Sequence, residues 1–123
     1  MAGWKELVVW QKSHQLVLKI YDIVTSFPTD EKFALTDQIK RASYSIPSNI
    51  VEGHSKNTYK DFLKYLYISR GSLEELRYFI FLAKDLKYIT INQFNEIEND
   101  TIEVSKMLNS FIISIKNRNE NES

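Results

Sequence analysis

Five polar residues, Gln38, Arg41, Ser45, Ser48 and Glu52, recur at spacings of three, four, three and four, which places them on one face of a helix. A carboxylate in such a row has the chemistry of a general base, with Ser48 or His54 as its neighbour. The spacing suggests no third group to orient it, and no serine stands in the Gly-x-Ser-x-Gly context of a nucleophile elbow. The reading that fits is a hydrogen-bonded strip beside an apolar seam, fixing helix register, with Arg41 or Arg70 paired to an acid. Asn49 follows Ile46 by three and Ala42 by seven, so it is expected to face inward and lock packing through its amide.

Other chemistry-bearing residue types are scarce. His14 and His54 are the only histidines, and neither has an acid three residues before it, as the Glu-x-x-His pairs of ferritin-like metal sites require. The chain has no Cys, which excludes a disulfide framework and a cysteine zinc site. No glycine-rich phosphate loop or dinucleotide fingerprint is present. The expectation is a non-enzymatic protein without metal or cofactor.

Charge points to a different kind of function. The formal net charge is 0, from 16 Lys and Arg against 16 Asp and Glu, so bulk attraction to a polyanion is not a property of this chain. One neighbourhood departs from the average. Residues 38 to 70 hold six basic side chains, Lys40, Arg41, Lys56, Lys60, Lys64 and Arg70, against the two acids Glu52 and Asp61. Lys60 and Lys64 are four apart on one helix face, with Lys56 just before it. Solvated lysines are the plain reading of any one of them. Repeated by symmetry, the set Lys40, Arg41, Lys56, Lys60 and Lys64 would bind RNA phosphates in a salt-sensitive way.

These residues need elements to position them. With 43% hydrophobic and 26% charged residues, three Gly and two Pro, the 123-residue chain is globular and too poor in turn residues for a many-stranded fold. Apolar residues recur at helical period in four stretches, predicting helices over about 6–26, 30–53, 58–87 and 91–116. Phe27-Pro28 ends the first, and Thr29 or Asp30 is expected to cap the second, which should stop near Gly53. Thr58 with Asp61, and Thr90 with Gln93, have the spacing of N-terminal caps. Pro47 falls inside the second helix, where it should kink the chain and leave the Ser43 carbonyl needing another donor. The expected fold is an antiparallel up-down-up-down four-helix bundle in a single domain over 1–118, with a polar tail, 119–123, that frays.

Tyr78-Phe79-Ile80-Phe81-Leu82-Ala83 is apolar on every side of a helix, more than one bundle interior can shield. Tyr78, Phe81 and Leu82 are therefore expected to meet a second copy of the chain. The opening residues lack the build of a signal peptide and no apolar run reaches bilayer length, so a cytoplasmic protein without a membrane partner is expected.

The run from Leu35 to Ala42, followed by Ser45-Ile46-Pro47-Ser48-Asn49-Ile50-Val51-Glu52-Gly53, resembles the signature of the 23S rRNA intervening-sequence protein family. The opening Leu7 to Lys12, the Phe27-Pro28 corner and Arg70-Gly71-Ser72-Leu73-Glu74-Glu75-Leu76 are similar to the rest of its pattern. Val51, where the family commonly has Ala, and His54 in the loop depart from it. The resemblance implies structural roles for Pro47, Ser48, Asn49, Glu52, Gly53, Arg70, Gly71 and Ser72. It further implies a homopentamer, a link to structured RNA or an RNA-processing protein, and kinship with the accessory proteins of diversity-generating retroelements. It supplies no active site.

Overall fold

The computed structural model describes residues 2–122. Four helices, α1 (Val8–Ile23), α2 (Leu35–His54), α3 (Tyr59–Asp85) and α4 (Ile91–Glu122), carry the fold, and no strand occurs among the described residues. They pack in a cycle, α1 on α2, α2 on α3, α3 on α4 and α4 back on α1. The apolar stripes meet inside as two layers. One gathers Leu16, Ile20, Ile39, Ile46, Leu73, Leu76, Ile80 and Val104, the other Val9, Ile50, Phe62, Leu66, Leu108, Ile112 and Ile115.

The ends of the helices differ from the expectations in three places. α1 is shorter than 6–26, because single 3-10 turns, Trp4–Glu6 and Val24–Ser26, flank it and Phe27 is extended ahead of Pro28. α2 starts at Leu35 rather than 30. Thr29–Glu31 forms one 3-10 turn, and Ala34, at φ −121° and ψ −106°, breaks the chain before the helix proper. Neither Thr29 nor Asp30 caps α2, since no residue from 28 to 34 is buried and helical signals without an inward face yield only a turn. α2 ends at His54, next to Gly53 as expected, but Gly53 is not a left-handed stop. It is a buried helical residue, and a Cβ there would stand 2.8 Å from Phe62 Cδ1 and 2.8 Å from Tyr65 Cβ, so its role is to let α2 approach α3. At the other end of the chain α4 runs on through the expected tail to Glu122, since residues 117–122 contain no Gly or Pro to break it. Ser123 of that tail lies outside the described residues.

Both predicted caps form. Thr58 Oγ1 accepts the Asp61 amide at 3.1 Å. At α4 the box is reciprocal: Thr90 Oγ1 accepts from the Gln93 amide at 3.1 Å and Gln93 Oε1 from the Thr90 amide at 2.9 Å. α3 ends in a Schellman motif, in which the Tyr88 amide reaches the Ala83 carbonyl and the Lys87 amide the Lys84 carbonyl. The residue in the left-handed position is Lys87, φ 64°, instead of the usual glycine.

α2 is continuous through Pro47. Side-chain donors nearby reach the carbonyls of Ser45 and Ile46 rather than that of Ser43: Asn49 Nδ2 donates to Ser45 O at 2.7 Å, and Ser69 Oγ on α3 donates to Ile46 O at 2.8 Å.

Candidate interaction surfaces

The polar row of α2 meets α3 along one open groove. Gln38, Arg41, Ser45 and Ser48 line it together with Tyr44, and α3 contributes Ser72 and Glu75; its volume is about 300 Å³. Ser45 and Ser72 hydroxyls share a hydrogen bond of 2.8 Å, Asn49 Nδ2 donates to Ser45 Oγ at 2.9 Å, and Ser72 donates to the Ile68 carbonyl at 3.1 Å. Of these bonds the one between Ser45 and Ser72 ties α2 to α3, and the other two lie within single helices. Asn49 is half-buried, held by its own helix. Glu52 is exposed and does not line the groove. His54 turns elsewhere: its Nε2 lies 2.8 Å from the Ala2 carbonyl and its ring meets Phe62 edge-on. The acid, serine and histidine that spacing put near one another are thus not assembled. Gly71 is exposed in mid-helix, and a Cβ there would meet nothing within 4 Å.

The five basic candidates fall into two groups. Lys56, Lys60 and Lys64 are exposed where α3 begins, and the Lys56 ammonium rests over the Tyr65 ring at 5.0 Å. Lys40 and Arg41 lie most of α2 away, about 20 Å at 1.5 Å per residue. Lys40 is half-buried over the Tyr21 ring at 5.0 Å, and Arg41 faces the α2–α3 groove. Arg70, named in the sequence only as a motif residue, stacks on Tyr67 at 5.0 Å and reaches Asn109 Oδ1 at 3.4 Å. With Ile112, Ile113 and Lys116 these residues line a second groove, between α3 and α4. No sequence signal pairs residues 70 and 109, because the contact exists only once α3 and α4 pack.

Ion pairing engages other residues. Lys19 bridges Asp100 at 2.8 Å and Glu96 at 3.2 Å, and the hydrogen bond to Asp100, then that to Glu96, hold its ammonium above the ordinary value of 10.5. Arg77 joins Glu98 at 2.8 Å and Glu74 at 3.1 Å, the Glu98 bond being the chief cause of its raised pKa. The Tyr88 hydroxyl donates to Glu31 at 3.1 Å, which raises the phenol pKa. Among the described residues no three His, Asp or Glu side chains gather in a way that would hold a metal ion, and no helix is long and apolar enough to cross a membrane.

The apolar segment on α3 divides by arc. Ile80 and Ala83 are buried, Phe79 and Leu82 half-buried against the core, and Tyr78 and Phe81 exposed, Tyr78 to 60%. Leu82 is therefore shared between the core and the surface assigned to it. Leu86 and Ile91 are exposed around the α3–α4 corner, and Lys84 Nζ lies 4.0 Å from the Phe81 ring and 4.6 Å from that of Phe94.

Fold and surfaces together define a small all-α four-helix protein, its distinguishing polar residues set along a helix–helix groove. The sequence model of the 23S rRNA-intervening sequence protein family matches residues 5–110, and the chain belongs to that family. A crystal structure at 1.70 Å of a protein with unknown function from the S23 ribosomal protein family of Bacteroides thetaiotaomicron VPI-5482 is similar to it, at 32% identity and a TM-score of 0.79. The alignment covers 85% of this chain and 98% of that one. Comparison with curated proteins finds no match.

Proposed function

We propose that the chain is a non-enzymatic scaffold, an antiparallel up-down-up-down bundle that works in the cytoplasm as a homo-oligomer and touches structured RNA. The exposed Tyr78 and Phe81, continued by Leu86 and Ile91, carry this reading, since an apolar surface of that kind is stable in water when another surface covers it. The antiparallel order is supported by cross-contacts. Gly53 meets Phe62, the Ile46 carbonyl meets Ser69 and Ser45 meets Ser72, so positions fall along α2 as they rise along α3. Five copies are what the resemblance implies. Lys60 and Lys64, exposed and outside the ion pairs above, support contact with phosphates, and a ring would repeat them once per subunit.

Light scattering at micromolar concentration tests the assembly, and a single 14.5 kDa species would refute it. Phe81→Glu is expected to disperse the oligomer with far-UV helicity retained, because this side chain lies outside the monomer core. Loss of helix content would instead make Phe81 part of the core. For RNA, filter binding to a structured RNA across a salt series is expected to show steep weakening with salt. Replacing Lys56, Lys60 and Lys64 with Glu should abolish binding at unchanged oligomer size. Undiminished binding by that variant would refute the RNA contact.

A second reading, a protein-interaction module without nucleic acid, draws support from Lys40 and Lys56, whose ammonium groups lie over tyrosine rings. Negligible RNA binding at every salt concentration, together with an intact oligomer, would select it.

A further inference from the structure

The groove between α3 and α4 gathers cations without acids. About 420 Å³ in volume, it is lined by Tyr67, Arg70, Asn109, Ile112, Ile113 and Lys116, two cations and no carboxylate. Neither Arg70 nor Lys116 enters an ion pair among the described residues. Arg70 is nonetheless held in place. Its guanidinium rests over the Tyr67 ring at 5.0 Å, and its Nη1 reaches Asn109 Oδ1 at 3.4 Å. Bare apolar surface lies beside it, Ile113 being exposed to 59% and Tyr67 to 39%. Lys116 stands seven residues beyond Asn109, two turns or about 10 Å further along α4.

These features together select a ligand. A guanidinium over an aromatic ring offers its outer face to another flat group, as a base stacked on an Arg plane uses it. Tyr67 and Ile113 reward covering by a ring, whereas a second anion at that end would leave their apolar surface in water. Lys116 acts as a point charge, which suits a phosphate. The absence of any acid from the lining favours an anion over a zwitterion or a cation. A flat ring joined to a phosphate is the chemistry of a nucleotide, and the groove volume falls within the range of about 300–1,000 Å³ usual for small-ligand sites.

We propose that the α3–α4 groove binds a nucleotide unit, its base on the Arg70–Tyr67 stack and its phosphate at Lys116. A free mononucleotide and an unpaired nucleotide of a strand present the same chemistry. The site is separate from the phosphate contacts proposed for Lys56, Lys60 and Lys64, which line no part of this groove. It also lies off the apolar surface assigned to self-association, since Arg70 precedes Tyr78 by eight residues, about 12 Å along α3.

Calorimetric titration of the full chain with AMP, adenosine and ribose 5-phosphate tests the site, because the last two each lack one half of the ligand. AMP is expected to bind once per chain, and either fragment at least roughly tenfold more weakly. Arg70→Lys keeps the charge but loses the flat face, and should bring AMP down towards the affinity of ribose 5-phosphate. Lys116→Gln should bring AMP down to the affinity of adenosine. Both side chains are exposed, so circular dichroism should not change. An adenylate pentanucleotide that binds roughly tenfold more tightly than AMP identifies a strand as the source, and equal affinity identifies a free nucleotide. No saturable binding of AMP or of the pentanucleotide, equal affinity for AMP and adenosine, or an Arg70→Lys variant that binds AMP as the parent does overturns the proposal. The RNA contact of Lys56, Lys60 and Lys64, read by filter binding, stands or falls separately.

Discussion

Replacing each of two glycines by alanine separates a steric effect from a backbone effect within one helix pair. At Gly53 the added Cβ would sit 2.8 Å from Phe62 Cδ1, 2.8 Å from Tyr65 Cβ and 3.2 Å from the Phe62 carbonyl oxygen. A ring can tilt away, but Tyr65 Cβ and the Phe62 carbonyl are fixed to the α3 backbone, so relief requires α2 and α3 to part. Overpacking of this kind costs about 1–3 kcal/mol, and the rigid partners place it in the upper half of that range. Alanine returns about 1 kcal/mol through helix propensity, leaving Gly53→Ala less stable than the parent by about 1–2 kcal/mol. At Gly71 nothing lies within 4 Å of the added Cβ, so only the propensity term acts and Gly71→Ala gains about 0.5–1 kcal/mol. The propensity terms cancel between the two variants, and their difference of about 2–3 kcal/mol is the strain alone. Urea unfolding at matched slope reads it, and the melting temperatures should differ by about 10 °C. If both variants are stabilised alike, the close approach of α2 to α3 at Gly53 is wrong.

Two further substitutions probe local devices. Asn49→Ala removes the bonds to the Ser45 carbonyl and hydroxyl beside Pro47, and is expected to lower stability by about 1 kcal/mol in thermal melts; an unchanged melt would leave Asn49 without a structural role. Lys87→Gly relieves a left-handed backbone at φ 64° and should stabilise the protein by about 1 kcal/mol in urea titrations; a loss would mean that the lysine side chain contributes more than the strain costs.

What was legible in the sequence was legible because it is local. The stripes through Ile20, Ile39, Leu66 and Leu108 turn inward as their period requires, and Thr58 and Thr90 cap the helices their spacing assigned to them. The segment from Thr29 to Ala34 misled because it has a cap residue and acids in a first turn yet no apolar residue that faces the core; the signals for starting a helix do not include the packing that sustains one. The end of α3 was read to within two residues, although Lys87 holds the left-handed position that glycine usually takes. Gly53 marked the end of α2 to within a residue, but its close packing with Phe62 and Tyr65 was not legible, because these partners are visible only after α2 and α3 meet. The α2–α3 groove was half legible. Its α2 row followed from spacing, whereas Glu75 joins it through tertiary structure alone. Leu82 was assigned outward because the segment is apolar all round, and the fold resolves that ambiguity by giving it half to the core.

An order of assembly follows from the cycle in which the helices pack. Three of its four seams join helices that are neighbours in the chain, separated by short connections, so each closes a small loop and can form as a helix pair. The fourth seam, α1 against α4, joins opposite ends of the polypeptide, and its loop spans α2 and α3 whole. Loop-closure entropy makes that seam the costly one to form first, so it should fasten last, after the neighbouring pairs have carried its two helices together. The ion pairs of Lys19 with Asp100 and Lys12 with Glu103 bridge this last seam, which makes them latches on a finished bundle rather than guides to it, with unfolding rates more sensitive to their loss than folding rates.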